Sequence, residues 1–426
     1  MRFRRRHIVL ALCALSFSIV SAVAVAQDAP HDHMQMNMPA TTGWQFMQDG
    51  IVFAEFNHQG GPRGGNDFVV PNWWMGMANR PFARGRLTLT GMLSLDPATV
   101  GKAGYREIFQ AGEALDGRPL IDRQHPHDLF MQLGAIWRMP ITDATGFTLA
   151  GGPVAEPALG PVAFMHRASA ADNPTAPLGH HTFDSTHIAF GVVTAAVDHG
   201  PWVVEGSLFN GRESDENRWN IEFGRLDSFS GRLWYRPNGE WELQASSGRL
   251  KDPEQLEPGN IVRSTVSGAW TRKNGMAISS FTAAFGRNNT DHGDRTAMFA
   301  EGSRHADGNT LYGRFEAVQV ETSLLQADAV VERGTAGLKT PVFAFTVGAV
   351  RELGVWRGFE GGLGADLSLY GVPHALQSAY SSHPVSFHVF FRLRPPAGSM
   401  GRMWNMRMSQ PMAGHDMAMP MNHPMP

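Results

Sequence analysis

Between Leu87 and Leu95 the chain alternates. Leu87, Leu89, Gly91, Leu93 and Leu95 fall on one side of an extended backbone, and Thr88, Thr90, Met92 and Ser94 on the other, because successive strand side chains point to opposite faces. The period returns at Trp202, Val204, Gly206 and Leu208 against Glu205 and Ser207, and at Trp241, Leu243 and Ala245 against Glu242, Gln244 and Ser246. It returns again at Val385, Phe387, Val389, Phe391 and Leu393 against Ser386, His388 and Arg392. A soluble sandwich would bury such apolar faces against each other. A barrel in lipid turns them outward and gives the polar face to a wet lumen.

The connections sort into two lengths. Short ones are predicted at Asn79 (NRPFARG), Met139 (MPITDATG), Asp198 (DHGP), Arg236 (RPNGE), Arg272 (RKNG), His305 (HADGN) and Arg351 (RELG); Asn-Gly and Asp-Gly are hairpin signals. Between them lie longer polar segments near 59–66, 96–126, 154–185, 212–226, 250–260, 288–294, 321–338 and 370–384. Seven hairpins, a first strand near Asp49–Phe56 and a last at Val385–Arg394 make sixteen strands whose ends can pair, which leaves no open edge. The predicted fold is therefore all-β: a single transmembrane antiparallel up-and-down barrel of about 16 strands, with long outer loops partly filling the lumen and disordered termini. Short turns and both termini are expected on the periplasmic side. Tyr105 to Gln110 is strand-like without a hairpin partner, and Phe343 to Val350 is apolar on both faces.

The N-terminus explains how such a chain would reach a membrane. MRFRRRH, an apolar run from Ile8 to Val25 and Ala24-Val25-Ala26 before Gln27 have the parts of a secretory signal over residues 1–26. Cys13, the one cysteine, would leave with it, so thiol chemistry is not expected. Removing the four signal arginines leaves 32 basic residues against 39 acidic, a balance that argues against nucleic acid as a partner. No later run approaches the roughly 20 apolar residues of a membrane helix.

Chemistry concentrates in two long loops. The second carries Asp122, Arg123, His125, His127 and Asp128; the third carries His180, His181, Asp184 and His187. Imidazole and carboxylate are ligands for borderline divalent metals. The favoured reading is instead a plug, in which these groups bond to each other and to the charged wall. Strand parity predicts that Leu129, Met131, Leu133, Ala135 and Trp137 face lipid with Asp128 inward, and His127 outward unless Pro126 breaks the pattern. It likewise sends Ile188, Phe190 and Val192 to lipid and leaves His187 inside. With the fourth loop from Gly211, Glu205, Arg314 and Glu316 would add to a charged constriction. A hydrolase built on His187, Ser185 and Asp184 is disfavoured because sequence neighbours do not normally assemble a triad; the reading is not an enzyme.

The ends differ in composition. Residues 27–43 hold three and residues 395–426 nine of the 22 methionines. Neither end has the periodicity of a folded element. His31, His33, Met34, Met36 and Met38 at one end, and His415, Met417, Met419, Met421 and His423 at the other, are candidate ligands; thioethers favour Cu(I).

Two resemblances follow. The alternating segments of residues 44–394 resemble porin-like outer-membrane barrels of Gram-negative bacteria. His-Asp-His-Met and Gly-His-Asp-Met-Ala-Met-Pro-Met resemble the Met/His-rich segments of copper-resistance outer-membrane proteins. The second resemblance implies periplasmic handling of copper, with Cu(I), Cu(II) or Ag(I) as cargo and no cofactor required. The rival expectation is a diffusion porin for small polar solutes. Outer-membrane lipid, a periplasmic metal-handling protein and further copies of the chain are the other candidate partners.

Overall fold

The computed structural model describes residues 43–291, 293–326 and 337–395. Among them sixteen antiparallel strands form the barrel wall: β1 (Gln45–Gln59), β2 (Asn72–Phe82), β3 (Gly85–Leu93), β4 (Phe130–Pro140), β5 (Thr145–Ala155), β6 (Ala189–His199), β7 (Trp202–Asn210), β8 (Ser228–Tyr235), β9 (Trp241–Lys251), β10 (Asn260–Asn274), β11 (Ala277–Thr290), β12 (Gly293–Ala306), β13 (Asn309–Glu321), β14 (Lys339–Trp356), β15 (Phe359–Gly371) and β16 (Val385–Arg394). Each pairs with its neighbour in sequence, and β1 closes the ring on β16 from Val52↔Leu393 to His58↔Phe387.

The period-two pattern decides which way each strand faces. Val193, Val197, Val204, Leu208, Phe281, Phe285, Phe387 and Phe391 stand exposed on the outside, while Thr194, Glu205, Ser207, Thr282, His388 and Arg392 are buried within. An outer surface of this kind is stable only in an apolar solvent. At the short-turn end Trp202 lies against Tyr235 with centroids 4.3 Å apart, and Trp241 pairs with Trp270; such rings suit a membrane–water boundary. Phe343, Phe345 and Val347 face out, with Ala344 and Thr346 inward, so the segment that is apolar on both faces is an ordinary wall strand.

Six of the seven short turns fall where the sequence places them. The seventh does not: β14 continues through the Arg351 tetrapeptide with a bulge between Glu352 and Gly354, and reverses at Arg357-Gly358, both at positive φ. Two segments expected to be long are tight, because strands extend into them. Residues 60–64 join β1 to the ribbon Gly65–Val69, which prolongs β2 past Pro71, and β11 runs to Thr290 with β12 already begun at Gly293. Tyr105–Arg106 finds its partner inside its own loop, at Arg123–Gln124.

Strand parity fails at two bulges. Leu93 pairs with Phe130 and Met92 with Gln132, so Met131 is the extra residue and turns inward, 1% exposed. At the start of β6, Gly191 (φ 66) is extra between Phe190↔Asn210 and Val192↔Phe209; a glycine in the left-handed region is the usual device for this. On the strand side of that bulge Val193 and Val197 face outward, so Val192 is inward by ordinary alternation, and Phe190 and Ile188 are buried with it, contrary to the lipid-facing assignment.

The third loop, residues 156–188, crosses the lumen and is buried along almost its whole length. The wall holds it at many points. Ser207 and Ser246 accept the amides of Ala158 and Gly160, Arg232 reaches Glu156 at 3.0 Å, and Arg263 donates to the carbonyl of His181 at 2.6 Å. Glu301 takes Arg167, Glu316 accepts the Leu178 amide, Arg314 donates to the Thr175 and Ala176 carbonyls, and Arg392 pairs with Asp172. Each buried wall charge meets a partner, as burial demands.

Candidate functional site

The two histidine stretches meet. His125 lies 5.8 Å from His180 and 5.5 Å from His181, ring centre to ring centre, and His187 lies 5.6 Å from His127 and 5.3 Å from His180. Two short turns of the third loop, His180–Phe183 and Ser185–His187, present three of the rings. The second loop supplies the other two before β4 begins, so His127 obeys no strand parity. It points inward, with Nδ1 3.0 Å from Asp96.

Carboxylates and guanidiniums frame the rings. Asp184 accepts His180 Nδ1 at 2.7 Å and Arg167 Nη1 at 2.9 Å. Asp128 is fully buried, as expected, and Arg218 of the fourth loop reaches both it (3.4 Å) and Glu113 (2.8 Å). Glu213, also of the fourth loop, faces His181 Nδ1 at 3.3 Å. The lumen residues do not form one constriction. Arg123 turns away to the carbonyls of Ala103 and Gly104, and Asp122 binds Arg63 and the Tyr380 hydroxyl. Glu205 pairs with Arg232 on the wall, and Arg314 with Glu316. The Ser185 hydroxyl donates to Glu213 while His187 Nδ1 meets the Asp184 carbonyl, so that stretch assembles no relay for acyl transfer.

Below the rings the lumen is unexpectedly apolar. Met75, Met77, Met92, Met131 and Met165 are buried in one cluster with Ile51, Phe53, Trp73 and Phe164, and Met47 packs against it. Met47 faces Met77, and Met75 faces Met92, across adjacent strands. Phe164 joins the two regions, 6.3 Å from His127 and 5.8 Å from His180. Sequence reasoning missed these methionines, although Trp73, Met75 and Met77 share one parity between polar Asn72 and Asn79. It also missed Glu113, Arg218 and Glu213, which loop packing alone brings in.

The candidate ligands His31, His33, Met34, Met36, Met38, His415, Met417, Met419, Met421 and His423 lie outside the described residues.

No known sequence family matches the chain, and no curated protein is similar to it. Solved structures are. OprB of Pseudomonas putida matches with a TM-score of 0.51 at 10% identity, over 83% of this chain and 94% of that one. The anion-selective porin from Comamonas acidovorans (TM-score 0.49, 10% identity, 83% and 100% covered) and Salmonella typhi OmpF (0.49, 7%, 82% and 97%) are similar too. The likeness is one of fold. A porin-like barrel is thus the frame within which the histidines and methionines have to be explained.

The packed loops are expected to respond to pH. Burial first, then Arg218 and the neighbouring imidazoles, hold His125 well below the usual imidazole value; burial first also lowers His180 and, strongly, His187. Once freed, each would regain a value of about 6.5. The freed loop then binds more protons than the packed one, so packing weakens as pH falls below that value. His181 runs the other way. Burial is the largest single influence and opposes its charge, but Glu213, Glu113 and Glu254 together raise it, so its contribution is present below the ordinary value and lost as pH rises through the raised one. Glu213 is depressed, against burial, by His181 and Arg263; its contribution persists until pH falls through the lowered value. Three lowered imidazoles oppose this one pair. Protease nicking within residues 156–188 is expected to rise severalfold between pH 7 and 5; equal nicking at both would contradict the neutral, buried assignment.

Proposed function

We propose that this chain is an outer-membrane barrel of a Gram-negative bacterium that handles copper or related metal ions, by passage or by periplasmic sequestration. Its termini would hang in the periplasm, with metal as cargo. The observation that carries the reading is the convergence of five imidazoles beside a cluster of buried methionines to which Phe164 joins them, in a lumen where free diffusion of polar solutes calls for water. Imidazole suits divalent copper and thioether suits Cu(I), and the third loop stands across the route. Met/His-rich ends would extend the same ligand chemistry beyond the barrel. The test is planar-bilayer conductance of the purified chain. The expected record is a low resting conductance that changes when copper is added. An open, ohmic conductance indifferent to copper would replace this reading with diffusion of small polar solutes.

A further inference from the structure

Glu113, His125 and His181 come from three separate stretches, yet one ligand atom of each lies within 4.8 Å of the others. Glu113 Oε1 stands 3.6 Å from His125 Nε2, longer than a hydrogen bond and about the spacing of two ligands on a common ion. We propose that these three side chains are a capture site for a divalent cation of the borderline class, Cu²⁺ or Zn²⁺, at the loop end of the lumen. The inference deepens the metal-handling reading and rests on it for the ion's later fate.

Three features support the site. The first is the ligand set: two imidazoles and one carboxylate suit such ions, and three protein ligands leave a position open. No sulfur belongs to the trio, which separates it from the methionine wall below. The second is the surroundings of each ligand. Arg218 holds Glu113 Oε2 at 2.8 Å, Glu213 lies 3.3 Å from His181 Nδ1, and Arg263 holds the His181 carbonyl at 2.6 Å. Outer partners of this sort fix the orientation of metal-binding imidazoles and carboxylates. Gly112, at φ 135, lets the His181 ring approach its backbone; a Cβ there would sit 2.6 Å from the ring.

The third feature is access. Glu113 and His181 line a cavity of about 380 Å³ at the loop end, and six carboxylates face it against two guanidiniums among the described residues. Arg295 pairs with Glu254, Glu257 and Glu321, one cation for three carboxylates, while Glu213 and the Arg218-bound Glu113 stand nearest the imidazoles. A concave acidic mouth concentrates cations. Glu113 and His125 also border a smaller void lined by His127, Asp128, His187 and Arg218, so more imidazole lies next to the trio.

Cobalt is the probe, because Co²⁺ bound by nitrogen and oxygen absorbs in the visible and has little affinity for thioethers; any band from the histidines of the ends is identified by its persistence in both site variants. The full chain, refolded in detergent, should show a saturable Co²⁺ band. Glu113→Gln keeps the side-chain volume and should weaken the band's affinity roughly tenfold or more, as should His181→Ala. Unboiled gel mobility confirms that both variants are folded barrels. Unchanged affinity in the two folded variants, or no saturable band in the parent, would overturn the site. Cu(I) uptake by the same preparations separates the two readings. If the site fails while Cu(I) is still held, metal handling stands without this site; if neither ion is held, both fall.

Discussion

Replacing Arg167 by methionine is expected to release the third loop and open the lumen. Arg167 is 1% exposed, and its guanidinium serves two carboxylates, Asp184 at 2.9 Å and Glu301 at 2.6 Å, besides the Val162 carbonyl at 2.9 Å. It also lies over the Phe299 ring, 4.5 Å from its centre. Methionine keeps the length of the stem and removes the charge. Asp184 and Glu301 would then lose the cation they share, with only the more distant Arg314, 3.8 Å from Glu301, and the His180 ring left to them, a loss of about 3–5 kcal/mol.

The strand pairing of the wall does not pass through Arg167, so the loop should yield before the barrel. The expected result is a stable conducting state, with a conductance at least an order of magnitude above the parent's, and rapid protease cleavage between residues 156 and 188. Adding Glu301→Gln should restore part of the closure by removing one stranded charge. A variant that stays closed and protected would show that the remaining anchors, among them Arg232, Arg263, Arg314 and Arg392, suffice.

Much of the frame was legible because the barrel writes itself in two local signals. Alternation along Val385–Arg394 reproduces the last strand residue for residue, and Asn-Gly and Asp-Gly mark real reversals at Asn274-Gly275 and Asp307-Gly308. The misses have local causes too. A turn-like Arg-Glu-Leu-Gly sits inside a strand that bulges instead of turning, a single extra residue turns Met131 inward, and on β6 the outward face is that of Val193 and Val197, not that of Val192. The site was half legible. Imidazoles of the second and third loops were flagged, but Glu213 reaches His181 and Arg218 reaches Asp128 and Glu113 through tertiary packing of one loop on another, for which no spacing rule exists. The methionine wall went unnoticed because methionine reads as one more apolar residue, and an apolar lumen face runs against the pattern of the rest of the barrel.

The second large effect concerns sulfur. Met75 and Met92 face each other inside the wall, and methionine in a core is ordinarily a flexible filler that leucine replaces at a cost under about 1.5 kcal/mol. If they only fill space, Met75→Leu with Met92→Leu changes nothing but a little stability. If they are ligands, the barrel stays folded and loses affinity for Cu(I), since leucine offers no donor. The ends carry the larger number of thioethers, nine of them in residues 395–426, so the greater part of the capacity should reside there. Titrating Cu(I) against a chromophoric chelator decides the matter: the chain lacking Gly398 to Pro426 should lose most of its Cu(I) capacity, and the Leu pair in that background should lower what remains. An unchanged stoichiometry after both changes would contradict the assignment of this barrel to copper.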